Sequence, residues 1–176
     1  MDENLEILFD EQAITERVSV LASQISCDHH GKELIVICVL KGAALFTADL
    51  TRRLTISAKI DFVQVASYGS GTESSGNVTV VKDIDMNIDG KNVVIVDGII
   101  DSGRTLDYLV KRYRERRPAS LKVAVLLDKH SRRVVDVPVD YRGFEIPDMF
   151  VVGYGMDSAE KYRNLPYIAT VDPLNT

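Results

Sequence analysis

Three short runs, Leu34-Ile-Val-Ile-Cys-Val-Leu40, Val93-Val-Ile-Val96 and Leu121-Lys-Val-Ala-Val-Leu-Leu127, are apolar at nearly every position rather than at every second one. A strand with one wet face alternates polar and apolar side chains. A strand apolar on both sides must be covered on both sides, as in a parallel sheet held between helices. The first two runs lead into helical spacing. Residues 43–54 place Leu45, Phe46, Leu50 and Leu54 on one side. Residues 103–117 place Leu106, Leu109, Val110 and Tyr113 together and stop at Pro118. A longer helix over Glu11–Asp28 carries Ile14, Val18, Leu21 and Ile25 as a stripe, with Asp10 as its cap and Gly31 just past its end. Strands alternating with helices predict an α/β fold with a mostly parallel central sheet flanked by helices.

Further strands are expected over residues 58–66, 78–82, 149–152 and, more weakly, 167–171. Between the first two lies Ser67-Tyr-Gly-Ser-Gly-Thr-Glu-Ser-Ser-Gly-Asn77, in which seven of eleven residues are Gly or Ser. Such a tract cannot pack a core and reads as a mobile loop, on composition alone a plain hairpin connection. With 176 residues and no internal linker, the chain is expected to form one domain, residues 1–176. The net charge of −5 gives no footprint for bulk nucleic-acid binding, although Arg112, Arg114, Arg116, Arg117, Arg132 and Arg133 leave room for a local patch. Two cysteines without metal-ligand spacing argue against zinc and against a disulfide framework. The acidic start and the absence of any apolar run near the roughly 20 residues of a membrane span predict a soluble, cytoplasmic protein.

The most informative stretch is residues 93–105: four apolar residues, Asp97, then Gly98-Ile-Ile-Asp-Ser-Gly-Arg-Thr105. A buried strand delivers the chain to the carboxyl edge of the sheet, where open α/β folds bind ligands. The loop Ser102-Gly103-Arg104-Thr105 then opens a helix, so backbone N–H groups and two hydroxyls converge on a phosphate-sized site. Residues 98–105 also come within one substitution of the P-loop pattern. Against that reading, Arg104 replaces the flexible lysine, and Asp101 puts an anion inside the loop.

The whole span resembles the phosphoribosyl pyrophosphate (PRPP) signature of type I phosphoribosyltransferases. Leu40-Lys41-Gly42-Ala43, Ser67-Tyr68-Gly69, Leu126-Leu127-Asp128-Lys129, the segment from Pro147 to Asp157 and Arg163 followed by Leu165-Pro166-Tyr167 occur in the order seen in hypoxanthine-guanine phosphoribosyltransferases. The resemblance covers nearly the whole chain. It implies a Rossmann-like type I fold with a small hood and a flexible lid at about residues 67–77. The implied reaction joins hypoxanthine or guanine to PRPP, giving IMP or GMP and pyrophosphate with Mg²⁺. Homodimers or homotetramers are implied as well.

Carried over by position, Lys41-Gly42 would meet pyrophosphate through the backbone, and Ser67-Tyr68 would belong to the lid. Asp101 would sit beside purine N7 and manage its proton. Ser102, Gly103, Arg104 and Thr105 would hold the 5′-phosphate. Lys129 would bond the purine O6, Phe150 would stack on the ring and Val151 would read the base edge through its backbone. Asp157 would bind Mg²⁺ and Arg163 pyrophosphate. These residue types suit the chemistry, since a carboxylate can act as general base, a cation stabilises the leaving group and a lid excludes water. Each also has a plain structural reading: Lys129 as a solvated strand end, Phe150 as core, Asp157 as a turn cap, Arg163 as a surface ion pair. His29 and His30 read as helix-end residues, and His130 as exposed.

One position departs from the family. Two adjacent acids are expected after the apolar strand, to contact the ribose hydroxyls and support the metal, and here Asp97 is followed by Gly98. Hydroxyls that lose a charged acceptor lose about 1.5–3 kcal/mol each, so Gly98→Asp is expected to raise affinity for PRPP. Other readings are a PRPP-sensing regulator or RNA-binding protein on the same fold and, with less support, a P-loop protein.

Overall fold

The apolar runs are buried on both faces of a six-stranded sheet in the computed structural model, which describes residues 5–67 and 78–171. The elements are β1 (Leu5–Phe9), α1 (Glu11–Asp28), β2 (Leu34–Leu40), α2 (Ala44–Arg52), β3 (Ala58–Ser67), β4 (Val78–Lys82), β5 (Asn92–Ile100), α3 (Arg104–Arg114), β6 (Ser120–Asp128), a 3₁₀ turn (His130–Arg132), β7 (Tyr141–Glu145), β8 (Val151–Val152) and β9 (Ile168–Val171). The large sheet runs β4-β3-β2-β5-β6-β7 and is parallel except for the β3–β4 hairpin. The expected α/β architecture is present.

Alternation along each buried strand divides the core in two. Leu34, Val36, Val94, Val96, Ala124 and Leu126 face α1 and α2, whereas Ile35, Ile37, Val93, Ile95, Val123 and Val125 face α3. Asp10 caps α1 by accepting from the Ala13 amide at 2.8 Å. His29 at the far end is buried and donates from Nδ1 to the Ile25 carbonyl at 2.9 Å, and His130 is exposed.

A second, antiparallel sheet of β1, β9 and β8 forms the hood. Neither β1 nor β7 has a clear signature in the sequence: each is five residues long and mixes charged with apolar positions, so its alternation is weak. Several boundaries also move. The expected strand over 149–152 is reduced to Val151–Val152, the third helix ends at Arg114, and β5 continues past Asp97 to Ile100.

Candidate active site

The extension of β5 removes the P-loop reading, because Gly98, Ile99 and Ile100 lie inside a strand and cannot wrap a phosphate. The turn begins at Asp101. Gly103 caps α3 with φ +84, and a Cβ there would stand 2.4 Å from the Val135 carbonyl oxygen and 2.9 Å from Arg133 Cδ. Only glycine fits that contact. The Ser102 carbonyl accepts from the Val134 and Val135 amides at 3.0 and 3.1 Å, so residues 133–135 form the floor of the turn. The Asp107 amide is the first in α3 to reach an intrahelical acceptor, Gly103 O, at 2.9 Å. The amides before it, of which that of Arg104 donates to Ser102 Oγ at 3.4 Å, and the Ser102 and Thr105 hydroxyls are the groups expected to cradle an anion.

The carboxyl ends of β5 and β6 bring Asp101 and Lys129 together, Nζ to Oδ2 3.7 Å. Lys129 is buried, 6% exposed, which removes the solvated reading: an ammonium this enclosed needs an anionic or polar partner. On the other side of Asp101, Arg132 Nε lies 3.1 Å from Oδ1, and the Arg132 guanidinium also pairs with Asp148 at 3.3 Å. The Arg132 contact is an ion pair without hydrogen-bond alignment, so Asp101 Oδ1 is buried yet accepts no hydrogen bond among the described residues. An enclosed acceptor of this kind is typical of functional positions. Phe150 is 49% exposed, so it is not core, and Val151 beside it is buried.

The third corner joins the β2–α2 loop to the hood. The Leu40–Lys41 peptide is cis. Lys41 pairs with Glu160 at 3.1 Å, and Glu160 also meets Arg163 at 3.3 Å. Arg163 further donates to the Gly155 carbonyl at 2.7 Å and pairs with Asp157 at 2.8 Å. Asp157 does cap the turn, accepting from the Glu160 amide at 2.8 Å, but it holds Arg163 as well. Tyr154, Ala159, Glu160 and Tyr162 all have positive φ, a concentration of costly backbone that is usual where a loop must aim side chains. Neither Glu160 nor Arg132 belongs to a motif: the sequence offers Arg132 only as part of a basic patch and Glu160 not at all.

Asp97 accepts from the Gly98 amide at 2.7 Å. Burial pushes its carboxyl up to about 7, against the opposing pull of the Gly98 and Ile99 amides. A Cβ on Gly98 would stand 3.0 Å from the Gly42 carbonyl oxygen, so the position of the absent acid is filled by the backbone of the neighbouring loop. Tyr68 and the rest of the expected lid lie outside the described residues, and nothing is described of the Ser67 side chain. Of the arginine patch, Arg112 and Arg116 pair with Asp83, Arg117 with Asp89, Arg132 with Asp101 and Asp148, and Arg133 with Asp128. Charges neutralised in this way offer little to a nucleic acid.

Among the described residues no three His, Cys, Asp or Glu side chains are grouped to hold a metal. Mg²⁺ is commonly held by one or two carboxylates completed by water and substrate phosphates. Asp157, 29% exposed and with lone pairs beyond those engaged by Arg163 and Glu160, fits that limited role.

The phosphoribosyl transferase domain profile matches residues 4–159. The hypoxanthine-guanine phosphoribosyltransferase of Bacillus subtilis is 45% identical over 167 residues, 95% of this chain and 93% of the relative. A crystal structure of a Bacillus anthracis hypoxanthine-guanine phosphoribosyltransferase with HEPES in its active site is 51% identical, with TM-score 0.91 over 95% of this chain and 98% of that one. A Staphylococcus aureus hypoxanthine phosphoribosyltransferase structure is 42% identical, with TM-score 0.93 over 98% of this chain and 94% of that one. The turn at Ser102–Thr105, the Asp101–Lys129 pair and the hood loop thus stand in a chain that belongs to the phosphoribosyltransferase family, within its hypoxanthine-guanine phosphoribosyltransferases.

Proposed function

We propose that the chain acts as one domain in cytoplasmic purine salvage, transferring phosphoribose from PRPP to hypoxanthine or guanine and releasing IMP or GMP and pyrophosphate. The observation that carries this reading is the buried Lys129 beside Asp101, immediately ahead of the anion cradle at Ser102–Thr105. A 6-oxopurine offers a carbonyl acceptor to Lys129 and an imidazole N–H to Asp101, and adenine lacks the carbonyl. Phe150 supports stacking on the ring, and the Val151 backbone supports reading of its edge.

In the reaction the purine N9 lone pair forms the bond to the ribose anomeric carbon as the bond to pyrophosphate breaks. The proton on N7 passes to Asp101. Negative charge grows on the leaving group, which Lys41 and Arg163, both paired with Glu160, would meet together with the Gly42 amide of the same loop. Asp157 and Asp97 would hold Mg²⁺, which would supply further neutralisation of the leaving-group charge. Closure of the lid at residues 67–77 would exclude water from PRPP.

No helix among the described residues is long and apolar enough to cross a membrane. Ile60 and Phe62 on the α2 side of β3, and Leu45 on α2, remain 39–41% exposed, an apolar surface that supports association into a homodimer or homotetramer. The deciding experiment measures pyrophosphate release from PRPP and Mg²⁺ with hypoxanthine, guanine, xanthine and adenine offered separately. Turnover with a 6-oxopurine and none with adenine is expected. Silence with all four bases would sink the assignment.

A further inference from the structure

Asp128 has no role in the chemistry above, yet it is fully buried (0% exposed) and sits one residue before Lys129. Its two oxygens face two guanidiniums. Arg133, whose side chain is only 8% exposed, bonds Oδ1, and Arg142 Nε from β7 stands 2.8 Å from Oδ2. Enclosing a carboxylate and a guanidinium together is expensive, the more so because Asp128 Oδ2 and Arg133 Nε are buried without a hydrogen-bond partner among the described residues, and such a cost calls for a purpose.

The position of Arg133 gives the pair a purpose. Its Cδ is one of the atoms that a Cβ on Gly103 would strike, and the residues following it donate both amides that bond the Ser102 carbonyl. Arg133 therefore lies directly beneath the phosphate turn, and Asp128 fixes Arg133. On its main-chain side Asp128 is equally fixed, since its carbonyl accepts from Ile146 at 2.9 Å and the Lys129 amide next to it donates to Ile100 at 3.0 Å.

We propose that Asp128 is a positioning residue that sets the height of the 5′-phosphate turn through Arg133, tying it to the strand end that presents Lys129. The inference rests on the proposed assignment of Ser102–Thr105 to a phosphate, and its test separates the two.

Ribose 5-phosphate and inorganic pyrophosphate are titrated by calorimetry into the wild-type protein, Asp128→Asn and Arg133→Lys, the last keeping the charge but losing the fork. PRPP turnover is measured alongside. In both variants ribose 5-phosphate affinity is expected to fall at least about tenfold, the scale of a misplaced binding group. Pyrophosphate affinity should hold, and KM for PRPP should rise with kcat little changed. Equal loss of both ligands, or of neither, overturns the inference. If Asp128→Asn does not fold, Arg133→Lys alone decides by the same split. A wild-type protein that binds ribose 5-phosphate but turns over no purine removes the proposed activity and leaves this comparison intact. A wild-type protein that binds no ribose 5-phosphate overturns both.

Discussion

Gly98 is where sequence and structure pull in opposite directions, so its substitution tests the site most sharply. A Cβ there would lie 3.0 Å from the Gly42 carbonyl oxygen, 3.2 Å from its carbon and 3.5 Å from Met156 Sδ. The first two are backbone atoms of the loop that carries Lys41, so relief requires the loop to move by a few tenths of an ångström. Overpacking of this kind costs about 1–3 kcal/mol. Gly155 presses the same carbonyl from another side, with a Cβ there only 2.2 Å away, so the loop has little room to retreat. Gly98→Ala is therefore expected to lower stability by about 1–3 kcal/mol and to raise KM for PRPP by displacing the pyrophosphate end. Gly98→Asp meets the same steric cost but adds an acceptor for the ribose hydroxyls, worth about 1.5–3 kcal/mol. Aspartate should thus bind PRPP about tenfold or more better than alanine, while its advantage over glycine is largely cancelled. Urea unfolding and PRPP saturation curves for the three proteins check this. An alanine variant indistinguishable from wild type in both would refute the reasoning, because the Gly42 loop would then not be seated on residue 98.

Three further outcomes follow from the contacts. Asp101→Asn keeps the shape but cannot take the purine proton, so kcat should fall about 10²–10⁴-fold with KM for PRPP nearly unchanged in steady-state assays; a retained kcat would remove Asp101 as the base. Glu160→Gln removes an anion that engages both Lys41 and Arg163, so inorganic pyrophosphate should bind a few-fold tighter by calorimetry, and unchanged affinity would show that Glu160 does not compete for those cations. For Asp83, burial raises the carboxyl's pKa but is outweighed by Arg112, the Ile84 amide and Arg116, leaving it at about 2 against 3.8. A depressed carboxylate stabilises fully above the unfolded value and loses that contribution as pH falls through the folded one. Asp83→Asn should therefore cost about 2 kcal/mol at neutral pH, a gap that narrows in urea melts from pH 4 downward. A gap independent of pH would contradict the ion-pair account.

The structure also sorts which side chains carried readable signals. Asp101 and the turn at Ser102–Thr105 were legible because a buried strand, a small-residue loop and a helix follow one another in the chain, so local order alone brings them to one sheet edge. The plain readings of Lys129 and Phe150 failed in opposite directions. Lysine at a strand end is ordinarily wet, and phenylalanine in an apolar run is ordinarily core, but here the first is buried beside Asp101 and the second is half exposed.

Periodicity and strand composition by themselves determined the parallel sheet, its two faces and the end at which the candidate site residues gather, since these depend on residues close in the chain. Only the tertiary structure decided what meets there. Glu160 reaches Lys41 across 119 positions, Arg132 turns back onto Asp101, and the Gly42 backbone fills the space beside Gly98. Those contacts depend on how the hood and the β6–β7 connection fold over the sheet edge. No local pattern encodes them, because the partners come from loops with no hydrophobic period.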